Sequence, residues 1–174
     1  MNQAKIEFAE HDDLFLLRFI GDIRLTLASA LDVIIERVLL DERYQQVVID
    51  LTKTTGIDST TLGLLAGLAV RFQKHQQKRP LIIYEDVAIK TILLNMCFDR
   101  LFNIIENKIE NKIEADVHEN TVSYTPLPSV PDDDIESCRR SLKAHKLLME
   151  LSDENKVQFQ QVVSALEEDL KRNS

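Results

Sequence analysis

Tryptophan is absent from this 174-residue chain, and cysteine, glycine and proline are scarce, at two, four and four residues. Cys97 and Cys138 have no CxxC spacing and no neighbouring histidine cluster, which argues against a disulfide framework or a zinc site and for reduced cytosolic thiols. No apolar run approaches the ~18–20 residues needed to span a bilayer. The first ten residues carry Glu7 and Glu10 and lack the basic start and apolar core of a secretory signal, so a cytoplasmic location is expected. Basic residues are outnumbered, 21 Lys and Arg against 29 Asp and Glu, for a net charge of -8. A basic face able to displace counterions is therefore not expected, and nucleic acid is excluded as a partner. The four histidines, His11, His75, His118 and His145, are scattered, with no nucleophile or carboxylate at a triad-like spacing, so neither a catalytic residue, a metal nor a cofactor is expected.

What is present is an ordinary globular composition, 44% hydrophobic and 29% charged, enough for one domain of about 100–150 residues and a smaller appendage. All glycines lie within the first 67 residues, while Pro126, Pro128 and Pro131 sit together much later. Up to Ile105 there are 12 basic and 14 acidic residues, and beyond it 9 and 15, so the tail is the more acidic part. These shifts divide the chain into a domain over 1–106, a linker over 107–134 and a helical extension over 135–174.

Within the first part, Leu14–Ile20 reads as a buried strand, with Gly21 and Asp22 as a bulge or turn and Ile23–Leu25 as its continuation. Apolar positions from Leu27 to Leu39 recur at three and four, the period of an amphipathic helix that starts near Thr26 and ends near Asp41. Val47–Leu51 is a nearly continuous apolar run suited to a strand buried on both faces, and a polar loop, Thr52–Ser59, follows. A second helix runs from Leu62 towards Gln73, Leu81–Tyr84 forms a strand, Val87–Met96 a third helix, and Leu101–Ile105 a last strand. Strands alternating with helices predict an α/β sheet with crossover helices.

The repeat ENKIENKIE over 106–114 is compatible with a helix or with a strand and loop. The Pro-rich stretch over 121–134 reads as a linker between two units. After it, Ile135, Cys138, Leu142 and Met149 form one apolar face, Ser152 offers an N-cap, and Phe159, Val162, Val163, Leu166 and Leu170 form another, predicting two helices or a helical hairpin. Arg139, Arg140, Lys143 and Lys146 form a basic patch expected to pair within the tail. The face that includes Leu147 and Leu148 most simply packs on the preceding domain, and docking over the loop described next is one such arrangement. Cys97, in the apolar stretch NMCFDRLF, is expected to be buried.

The segment that stands apart is Asp50-Leu51-Thr52 followed by Gly56-Ile57-Asp58-Ser59-Thr60-Thr61-Leu62-Gly63. A strand, a glycine-containing loop and hydroxyls at a helix start place Ser59 and Thr60 where free backbone N–H groups gather. A phosphate there is favoured by ~0.3–1 kcal/mol from the helix dipole. The same residue types are the commonest N-caps, and spacing leaves capping and modification both open.

VVIDLTKTTGIDSTTLGLLAGL resembles the signature of the STAS domain of bacterial anti-sigma factor antagonists, in which a hydroxyl of the Asp-Ser-(Ser/Thr) triplet is phosphorylated. Phe19-Ile20-Gly21-Asp22-Ile23 resembles the family's second strand, and Phe98-Asp99-Arg100-Leu101-Phe102-Asn103-Ile104 its closing strand, so the resemblance covers about residues 5–106. Thr61 departs from a frequent glycine, and the helical tail is an addition to minimal members. The resemblance implies a mixed sheet with crossover helices packed on one side, and no catalysed reaction. It implies a phosphorylation-gated switch whose unmodified form binds an anti-sigma factor or an ATPase-type serine kinase, opposed by a serine phosphatase. Ser59 is the implied acceptor and Thr60 the second choice. Asp58 would orient the kinase or the phosphatase metal, and Asp50 would hold the loop. Antagonists with such extensions, and the IDSTTLG form, resemble those serving motility or biofilm pathways. STAS domains also occur as accessory subunits of lipid or anion transporters, usually as bare domains.

Overall fold

The computed structural model describes residues 3–108 and 122–173. The elements run β1 (Lys5–His11), β2 (Leu14–Ile23), α1 (Ala28–Leu40), β3 (Gln46–Ile57), α2 (Ser59–Gln76), β4 (Leu81–Tyr84), α3 (Val87–Asn95), β5 (Asn103–Glu106), β6 (Thr125–Pro126), α4 (Asp134–Leu151) and α5 (Asp153–Arg172). The strands form one sheet in the order β5-β4-β3-β2-β1-β6. β2, β3, β4 and β5 pair in parallel, whereas β1 pairs antiparallel with β2 and with β6. This is the mixed α/β sheet expected from the sequence, with the helical extension after it.

Side-chain alternation separates the two faces of the sheet. On β3, Val47, Ile49 and Leu51 join the main core with Leu31, Ile34, Ile35 and Val38 of α1 and Leu62, Leu65 and Leu68 of α2. Val48 belongs to a smaller cluster with Ala9, Leu14 and Leu16, against which Val122 and Tyr124 pack. The helices α1 and α2 therefore cover one face, and the segment leading into β6 lies on the other.

Several expectations are refined. β3 continues as strand through Thr52–Ile57 instead of ending in a loop, because β2 extends alongside it from Leu14 to Ile23. The register shifts in that pairing between Arg18 and Ile20 and between Gly21 and Asp22, the second at the expected bulge. Gly21 has φ 80°, a conformation that glycine adopts without a Cβ penalty. β1, which the apolar pattern leaves unmarked, is held by its register from Lys5↔Ile20 to His11↔Leu14. The Pro-rich stretch contributes a strand: Thr125 and Pro126 pair with Phe8 and Glu7, at the sheet edge where a residue lacking an N–H is tolerated. Cys97 is only half-buried and has φ 60°, at the tight turn after α3. Of the tandem repeat, Glu106 ends β5 and Ile109 and Ile113 lie outside the described residues.

The extension is packed into the same core. Leu148 of α4 is fully buried and Phe159 of α5 nearly so, both within the main cluster. Buried Asn155 donates from Nδ2 to Leu148 O (3.0 Å) and Met96 O (3.5 Å), tying the α4–α5 corner to the end of α3. Arg100 donates to Leu151 O at 2.8 Å. Ser152 caps α5 as expected, accepting from Asn155 N at 3.1 Å. No helix among the described residues is long and apolar enough to cross a membrane.

Candidate functional site: the β3–α2 junction and its cover

The junction is built by two local devices. Gly56 sits where an added Cβ would lie 2.2 Å from Asp22 Oδ1, so only glycine leaves room for the Asp22–Arg24 ion pair beside it. Asp58 then ends the extended backbone (φ -84°, ψ 164°), and its Oδ1 accepts from Thr61 N at 2.8 Å, which makes it the N-cap of α2. Its own N–H donates to Ile23 O at 3.1 Å, fastening the junction to β2.

From this start Ser59 is the first residue of α2 and is half-buried, whereas Ile57, Thr60, Thr61, Leu62 and Gly63 are buried. Within the contiguous segment Gly56–Gly63, Ser59 is thus the one hydroxyl-bearing residue that is not buried. Thr60, the second-choice acceptor, is 5% exposed. Thr61 Oγ1 is buried with no hydrogen-bond partner among the described residues.

Asp50 is not brought to this site. It lies mid-strand on β3, on the face opposite α1 and α2. Its carboxylate accepts from Thr52 N (3.0 Å), Thr52 Oγ1 (2.7 Å) and Arg18 Nε (2.9 Å). The Arg18 guanidinium in turn stacks on the Tyr124 ring, 3.8 Å from its centroid. Two-residue alternation explains the separation: with Ile49 and Leu51 turned to the helices, Asp50 turns away.

The tail supplies the partners that sequence reading passed over. Ser59 Oγ lies 2.8 Å from His145 Nε2. His145 Nδ1 is 2.7 Å from Ser141 O, a carbonyl that can only accept, so Nδ1 carries the proton and Nε2 accepts from the Ser59 hydroxyl. Thr60 Oγ1 pairs with Ser141 Oγ at 3.1 Å. His145 is buried, its ring edge-on to Phe159 at 5.3 Å between centroids. A Cβ on Gly63 would lie 2.5 Å from both Cβ and O of Ala144. The first turns of α2 are therefore covered by one stripe of α4. A signal for this existed: Ser141, His145 and Leu148 lie three and four residues apart, on the apolar side of α4 that includes Leu142 and Met149.

The basic patch divides as its positions on α4 dictate. Arg139 pairs with Glu136 and Lys146 with Glu167, within the tail as expected, but Arg140 reaches Asp132 and also Asp32 of α1. Nearby, Arg71 of α2 forks onto Glu36 of α1, and this guanidinium holds the Glu36 carboxyl below the usual carboxylate range, with Lys143 of α4 adding to the effect.

Comparison with curated proteins finds no match for this chain. Among solved structures, an anti-sigma factor antagonist from Mycobacterium paratuberculosis is similar at 20% identity and TM-score 0.53, covering 67% of this chain and 96% of its own. The anti-sigma factor antagonist SpoIIAA in its unphosphorylated form is similar at 12% identity and TM-score 0.52, over 63% of this chain and 96% of its own. At these identities the likeness is one of fold. The family pattern that matches residues 5–120 is the STAS domain, so α4 and α5 lie beyond it and the chain belongs to the STAS domain family.

Proposed function

We propose that this protein is an anti-sigma factor antagonist whose partner binding is gated by phosphorylation of Ser59. The observation that carries the reading is the position of Ser59. It opens α2 immediately after the Asp58 cap and is half-buried, between buried Ile57 and buried Thr60. A phosphate at that point meets the positive end of the α2 dipole.

The electrostatics support a switch. Phosphorylation adds about -1.5 to -2 charges beside Asp58, on a chain already at -8. A partner surface shaped for a neutral hydroxyl would have to desolvate that charge, at several kcal/mol unless a cation meets it. Since ~1.4 kcal/mol is tenfold in affinity, a change of about 100-fold or more follows. The unmodified form would bind an anti-sigma factor or serine kinase, the phosphorylated form would release it, and a serine phosphatase would reset the cycle. Ser59 is preferred to Thr60 because the Thr60 hydroxyl is buried and bonded to Ser141. The role is regulatory binding, without a reaction catalysed by this chain.

A phosphate-affinity gel of the protein made in its native cell tests this directly. A retarded band lost in Ser59→Ala and kept in Thr60→Ala is the expected result. No retarded band, with an ATPase and membrane components co-purifying, would replace the reading by an accessory role in lipid or anion transport.

A further inference from the structure

The face of α2 that carries Ser59 is occupied by the chain's own α4. Two successive turns of α2 are covered, the first through Ser59 by His145 and Thr60 by Ser141, the second through Gly63 by Ala144. One turn further on, Leu147 lies 3.5 Å from where a Gly67 Cβ would sit. Along α2 the contact is made of small residues and hydrogen bonds, while Leu148 and Phe159 carry the hairpin into the main core and would be uncovered when it lifts. Its outer attachments are on α1 and α3, through Arg140 to Asp32 and Asn155 to Met96, and at the linker, where Ser29 Oγ donates to Val130 O at 3.1 Å.

Geometry sets Ser59 modification against this arrangement. A separation of 2.8 Å between Ser59 Oγ and His145 Nε2 accommodates the hydroxyl proton and nothing larger. A phosphorus bearing three oxygens cannot take the place of that proton while the contact stands, because Phe159 backs the His145 ring from the other side. A protein partner reading the same helix start requires the volume of α4.

We propose that the α4–α5 hairpin is an intramolecular latch over the partner-binding face of α2, so that Ser59 is phosphorylated, and that face is bound, only when the hairpin is lifted. Its biological meaning rests on the reading of Ser59 given above. The covering itself is testable without a kinase or partner.

The test is hydrogen–deuterium exchange, followed by mass spectrometry, on the full chain and on Ser59→Ala, Ser59→Asp and Gly63→Ala. A latch opens as a unit below global unfolding, so α4 and α5 amides exchange at least about tenfold faster than those of β2 and β3 in the parent chain. Ser59→Ala removes one neutral hydrogen bond and speeds α4–α5 exchange by no more than about tenfold. Ser59→Asp, whose carboxylate oxygens extend beyond the Oγ position into the 2.8 Å gap to His145, speeds it more than Ser59→Ala, with β3 protection unchanged. Gly63→Ala, which wedges Ala144 away while favouring the helical state of α2, does the same from the other helix. The latch is overturned if hairpin and sheet exchange together in all four chains, or if Ser59→Asp leaves the hairpin as protected as Ser59→Ala does. Absence of phosphate on the native protein, with a hairpin that opens as described, overturns the switch reading and leaves the latch. A phosphorylated native protein whose hairpin never opens separately overturns the latch alone.

Discussion

Replacing Asp50 by alanine separates its structural role from the loop-holding role that the family resemblance implied. The carboxylate accepts three hydrogen bonds and faces Arg18, and the two side chains are only 13% and 12% exposed. Removing one member of a buried ion pair costs about 3–5 kcal/mol, because the remaining charge keeps its desolvation penalty. The Tyr124 ring over the guanidinium offsets about 0.5–2 kcal/mol of this, so Asp50→Ala should lower unfolding stability by about 1–4 kcal/mol. Urea denaturation at neutral pH reads the loss. The paired variant Arg18→Met/Asp50→Leu, which fills the same space with apolar groups, should recover most of it. Because Asp50 lies across the sheet from Ser59, partner capture per folded molecule should match that of the parent. A stability change below about 0.5 kcal/mol, the ordinary range for surface substitutions, would refute the burial argument. A fully stable protein that fails in pull-down would return Asp50 to the binding site.

Two further predictions test the junction and the opposite edge of the core. Asp58→Ala should cost about 0.5–2 kcal/mol through loss of the α2 cap and Asp58→Asn only a few tenths, read by thermal melting; equal losses would remove capping as the carboxylate's role. The Tyr44 phenol is pushed up to about 12, by burial first and then by its 2.6 Å bond to Glu10, whereas an unfolded tyrosine titrates near about 10. The neutral phenol is the folded-state form, so its stabilisation is complete below about pH 10 and is lost as pH rises through about 12. Urea midpoints at about pH 8 and about pH 11 should diverge more in the parent than in Tyr44→Phe, and an equal decline in both would contradict this.

Much of the domain was legible from local pattern. The β-branched run Val47–Leu51 and the helical spacing of Leu31, Ile34, Ile35 and Val38 are properties of short windows, and the structure follows them. β1 and β6 were not legible: β1 has a weak apolar pattern and is fixed by its hairpin pairing with β2, and β6 depends on a distant edge that β1 leaves open. The Pro-rich segment looked like a spacer since proline forbids a regular ladder, yet a two-residue edge pairing asks for none of the hydrogen bonds proline lacks. The extent of β3 was misjudged for a related reason, its polar half being held as strand by its neighbour rather than by its own composition.

The motif Gly56–Gly63 could be picked out of the sequence because capping and glycine chemistry act between residues a few positions apart. His145 could not be assigned, since nothing local distinguishes a core histidine from one that meets a serine 86 positions earlier. That encounter needs the whole fold: β3 to aim α2, and the corner at Asn155 to hold α4 across it. Sequence alone determined which residues are chemically fit to carry a phosphate, whereas packing between distant helices decided that the chain covers the start of α2 itself.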